Sequence, residues 1–135
     1  MLHRLFPVFL LSFSISLPVI AETECDGSTA RGSIACTKPT EELIRDQLKE
    51  QLSTIKMLMQ SEGSFVSHAQ YLKLFNDSQV AWVNYMESHC RLQGVSKSGP
   101  NTWSSYWAQQ CELQAIDQRI QELGKLEKIL RMEEE

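Results

Sequence analysis

No window of this 135-residue chain alternates apolar and polar residues for long enough to build a β-strand, so a sheet core is excluded and an all-α fold is expected. Metal-ligand spacings are missing too. The cysteines and histidines form no CxxC or HxxxH pattern, which removes the usual zinc frameworks. There is no glycine-rich phosphate loop. Of the three histidines, only His68 and His89 lie beyond the N-terminal segment, and neither sits in a recognisable catalytic motif. The carboxylates Asp46 and Glu50 share helical spacing with Glu41 and Arg45, which reads as a solvated face rather than an acid–base pair. The expectation is therefore no enzyme, no metal and no cofactor. A basic excess is also lacking, with 13 Lys and Arg against 17 Asp and Glu, which disfavours nucleic acid or anionic lipid as the main partner.

Long apolar runs are scarce, and the one present is at the N-terminus. MLHRLFPVFLLSFSISLPVIA carries Arg4, an apolar stretch from Leu5 to Leu17, the helix-breaking Pro18 and a small residue, Ala21. This is the pattern of a secretory signal peptide cleaved after Ala21. The stretch is too short and too interrupted by serines for a stable membrane anchor. A periplasmic or secreted location follows, with residues 22–135 forming one domain. Loss of Arg4 leaves a net charge of −5, which favours a cationic partner.

All four cysteines fall in the exported part, where oxidation is expected. Three connectivities are open to them. Cys25–Cys36 and Cys90–Cys111 are the pairs expected here, because each brackets a short segment rich in Gly, Ser, Thr or Pro. Each closure would stabilise a small domain by roughly 3 kcal/mol.

Three helices account for the rest. Thr37 or Thr40 can cap the first, with Pro39 at an early position and Ile44, Leu48, Leu52, Ile55 and Met59 forming its apolar face to about Gln60. A second is expected from Phe65 or Val66 to about Leu92, with Ala69, Leu72, Val83 and Met86 along one side and Phe75 and Trp82 beside them. The breakers in GVSKSGP predict a surface loop over residues 94–100. Asn101 or Thr102 can cap a third helix, whose expected buried stripe includes Trp103, Trp107, Leu113, Ile116, Ile120, Leu123 and Leu130. Glu133, Glu134 and Glu135 oppose its dipole and should fray. The architecture expected is a small antiparallel helical bundle with two disulfides.

Gln79, Trp82, Met86 and Cys90 fall near one helical face, with Tyr85 flanking it. Gln79-Val80-Ala81-Trp82, Tyr85 and Cys90 fit Q-x-A-W-x-x-[YF]-x-x-x-x-C, and from Cys111 the same pattern continues to Arg119 and Leu123. In these residues the chain resembles the LprI-type lysozyme inhibitor family of small exported bacterial proteins. It departs from that pattern at Met86, where an arginine is common, at Ile116, where a threonine is, and at Lys49 and Leu52 in the first helix.

The resemblance implies a helical module that binds, and inhibits, a lysozyme-type muramidase. An immunity protein against an effector toxin, or an envelope scaffold or stress protein, are the alternatives. A protein partner points to Trp103 and Tyr106, rings of the kind favoured at interfaces. With Lys97, Ser98 and Asn101 of the adjoining loop they form the candidate contact patch, braced by Cys90–Cys111.

Overall fold

The computed structural model describes residues 25–61 and 68–132, which form three long helices: α1 (Ala30–Met59), α2 (His68–Ser98) and α3 (Thr102–Met132). There is no strand among the described residues. The expected signal peptide over residues 1–21, the expected start of α2 at Phe65 or Val66, and Glu133, Glu134 and Glu135 lie outside them.

α1 begins earlier than its sequence suggests. Thr29 is the N-cap, its Oγ1 accepting a hydrogen bond from the Gly32 N–H at 3.0 Å. Thr37, Pro39 and Thr40 are all inside the helix. The segment from Cys25 to Thr29 folds back over this first turn, and the Cys25–Cys36 bond holds it there. A Cβ at Gly32 would lie 1.9 Å from the Asp26 carbonyl oxygen, so the return path is open only because residue 32 has no side chain.

The second correction concerns the expected loop at 94–100. α2 continues through it to Ser98, and the turn is reduced to residues 99–101. Gly99, at φ 70°, ends the helix in the left-handed conformation, and its N–H donates to the Val95 carbonyl at 2.8 Å. Pro100 then blocks continuation. Asn101 caps α3, its Oδ1 accepting from the Trp103 N–H at 2.8 Å. Gly94 is buried inside α2, where its missing side chain lets the α3 backbone approach.

The chain runs up, down and up. α3 is the central element: α1 and α2 both pack along it and scarcely touch one another. Two apolar clusters fill the contacts. Ile55, Met59, Phe75 and Leu123 form one, flanked by Leu48, Leu52, Leu72, Leu126 and Leu130. Met86, Cys90 and Ile116 form the other, flanked by Ile44, Trp82, Cys111 and Ile120. The expected α1 face is thus the observed one. On α2 the buried line runs through Phe75 and Met86 instead of Ala69 and Val83, both exposed. On α3, Ile116 and Leu123 are buried, whereas Trp103 and Trp107 lie outside both clusters.

Polar contacts line the α1–α3 seam. Thr37 Oγ1 donates to Gln109 Oε1 at 2.7 Å, and Gln109 Nε2 donates to Glu41 Oε2 at 2.7 Å. Arg45 pairs with both Glu41 and Glu112, at 2.9 and 3.1 Å. Further along, Gln51 Nε2 donates to Glu127 Oε2 at 2.6 Å. Glu41 and Arg45, expected on a solvated face, therefore tie two helices together.

Candidate functional site

The Cys90–Cys111 bond joins α2 to α3 at a Cα separation of 5.3 Å. It fixes the register of the two helices, and the motif residues collect on one side of it. Arg119 reaches across from α3, its Nε donating to Gln79 Oε1 at 3.3 Å while its guanidinium carbon lies 5.6 Å from the Trp82 ring centroid. Its Nη1 also pairs with Glu122 at 2.9 Å, and its side chain is only 17 % exposed. Two planar groups and one cation thus hold each other in place, so the surface they present is rigid.

Tyr85 stands at the rim of this cluster, stacked on His89 with ring centroids 5.3 Å apart and planes 14° from parallel. His89 also contacts Gln93 at 3.4 Å, between Nε2 atoms. Together these side chains line a groove of ≈ 380 Å³ between α2 and α3, floored by Met86 and the disulfide. Leu123 does not reach it; it is buried in the other apolar cluster. The departures from the family pattern become intelligible here. Met86 and Ile116 pack against each other in the core beneath the groove, so two positions that are polar in the pattern are apolar together.

The second group of candidate residues lies where α2 turns into α3. Trp103 meets Tyr106 edge to face with centroids 5.6 Å apart, and Tyr106 meets Trp107 at 5.1 Å. Lys97 Nζ sits 4.7 Å over the Trp107 ring. Ser98 and Asn101 are engaged by the turn itself. Ser98 Oγ donates to the Gly94 carbonyl at 3.1 Å, and Asn101 bonds to both Ser98 and Trp103. The patch is therefore a ladder of three rings topped by a cation, carried on helices and not on a loop. Trp107, placed by the sequence on the buried stripe of α3, is half-buried and joins this ladder.

Among the described residues no three His, Cys, Asp or Glu side chains converge as a metal site, and no helix is long and apolar enough to cross a membrane. Two carboxyl groups are perturbed by the helix contacts. Burial raises Glu41, but hydrogen bonds from Gln109 and Arg45 outweigh it and hold the carboxyl below its ordinary range. Hydrogen bonds from Gln51 and Arg131 lower Glu127.

The described residues thus form a three-helix body closed by two disulfides, with a polar groove on one side of the α2–α3 clasp and an aromatic end where α2 turns into α3. The sequence model of the family described as Lysozyme inhibitor LprI matches residues 23–123, and the chain is a member of that family. No curated protein and no solved structure matches it.

Proposed function

We propose that the exported chain, residues 22–135 after cleavage at Ala21, is a periplasmic or secreted protein that binds a lysozyme-type muramidase and occludes its cleft without doing chemistry. The match to the lysozyme inhibitor family over residues 23–123 is the observation that carries this reading. Two disulfides agree with an oxidising compartment. The aromatic end of the α2–α3 hairpin supplies the anchors: Trp103, Tyr106 and Trp107 offer large, pre-packed rings that lose little freedom on binding.

Charge enters differently from the simple net value. The three helices carry 12 Lys and Arg against 10 Asp and Glu, so the acidic excess belongs to the segments before and between them and to the three glutamates that follow α3. Attraction of a basic enzyme would thus come from those acidic segments, and its loss with salt should be steep.

The test is a turbidity assay of peptidoglycan lysis by several lysozyme types in the presence of the purified, oxidised chain. Slowed lysis with at least one type is expected. Undiminished lysis with all of them would overturn the reading in favour of an envelope scaffold.

A further inference from the structure

α2 carries a second seam that none of the described residues covers. Tyr71, Leu74, Tyr85, Leu92 and Val95 are all exposed, with Leu74 at 56 %, Tyr85 at 64 % and Leu92 at 66 %. The spacing between them is filled by Ser78, Ala81 and Ser88, giving steps of three and four throughout. No position in this series is charged. It runs about 36 Å along the helix. The side facing α3 passes through Phe75, Met86 and Cys90, roughly a third of a turn away, so the second seam is accessible.

A regular three-four series of uncharged side chains is what a helix presents to another helix. The charges beside it identify which. Asp77 and Arg91 lie on the same flank, seven residues before and seven after Asn84. Asp77 is paired with Lys73 at 2.6 Å in an exposed i,i+4 ion pair, which an arginine from a second copy can share or displace, while Arg91 has no ion pair among the described residues. In an antiparallel pairing about a two-fold axis near Val83, Leu74 meets the partner's Leu92, Tyr71 meets the partner's Val95, and Ala81 meets the partner's Tyr85. On the flank the same pairing leaves Asp77 and the partner's Arg91 two residues out of strict register, about 3 Å along the axis and within reach of an arginine side chain, twice by symmetry, and brings Asn84 beside the partner's Asn84. The small residues Ser78 and Ser88 let the two backbones approach at the middle. A parallel pairing would set Asp77 and Arg91 against the partner's Trp82 and the partner's Ser96, with no charge match.

We propose that this face of α2 is a homodimer interface, two copies of the chain pairing antiparallel through Tyr71, Leu74, Tyr85 and Leu92 with reciprocal Asp77–Arg91 ion pairs. The interface leaves the Trp103–Tyr106–Trp107 end of each copy free. It borders the Arg119 groove through Tyr85.

Sedimentation equilibrium of the oxidised full chain, over micromolar to millimolar concentration, tests it. A reversible monomer–dimer equilibrium is expected. Changing both Leu74→Lys and Leu92→Lys should leave a monomer whose helical signal and melting, measured at low concentration, are those of the parent. Asp77→Arg and Arg91→Asp should each weaken the dimer by roughly tenfold, and the two together should restore it. A single-chain mass at every concentration overturns the proposal. So does a dimer indifferent to Leu74 and Leu92, or a double charge reversal that fails to recover the affinity of the parent.

Discussion

A methyl group added at Gly94 would lie 2.2 Å from the Ser104 carbonyl oxygen, and one added at Gly124 would meet nothing within 4 Å. The two glycines occupy helix interiors alike, yet they have opposite consequences. Gly94→Ala should force α2 and α3 apart and cost roughly 1–3 kcal/mol. Gly124→Ala should stabilise by roughly 0.5–1 kcal/mol, since only the backbone freedom of the unfolded chain changes. Thermal melts of the two variants check both signs. Glu41 gives a pH dependence of definite direction. Its carboxyl is held below the ordinary value of 4.5, so its contribution is present above that value and is lost as the pH falls through the lower, folded-state value. Melting should decline on acidification, and Glu41→Gln should flatten part of that decline. None of these contacts could be read from sequence. Glu41 and Arg45 look like an ordinary solvated face, and Thr37 like a helix cap, until the parallel packing of α1 and α3 brings them to Gln109 and Glu112.

Helix identity was legible, and helix limits were not. Periodicity in Ile44, Leu48, Leu52, Ile55 and Met59 marks the α1 face because an amphipathic helix must bury one stripe. The start of α1 escaped notice because a cap at Thr29 and a proline tolerated inside the helix are quieter signals than Thr37-Lys38-Pro39-Thr40. GVSKSGP misleads for a physical reason. Gly94 is present for close packing, not for a turn, and only Gly99 and Pro100 break the helix. With the loop gone, the aromatic end becomes a helical surface, and its behaviour on substitution is predictable. Trp103→Ala and Tyr106→Ala should lower stability by about 1–2 kcal/mol, since both rings are half-buried yet outside the apolar core clusters, and on the proposed function should weaken binding to a muramidase by roughly tenfold or more. Parallel melting and inhibition measurements separate the two effects. If melting collapses while inhibition per folded molecule is unchanged, the rings are packing elements. Arg119 was named from the motif alone. Its engagement with Gln79 and Trp82 depends on the α2–α3 register, which only the folded structure supplies.

At the scale of the whole molecule, α3 is the spine and the other two helices lean on it separately. The disulfide pairing was legible because local closure of short segments is the simplest arrangement of four oxidised cysteines, and both expected bonds are present. Replacing Cys90 and Cys111 by serine should cost roughly 3 kcal/mol, measurable by denaturant titration, and should loosen the groove around Arg119. Each bridge also stays within its own part of the chain: one closes the beginning of α1, the other clasps α2 to α3. A protease that cuts once between Ser61 and His68 would therefore leave no covalent tie between the pieces. On a non-reducing gel after denaturation such a nicked protein should run as two fragments, one bearing α1 and the other the hairpin. Before denaturation, the two would be held only by side-chain contacts along the spine, and exchange of a labelled α1 fragment would time how long that grip lasts.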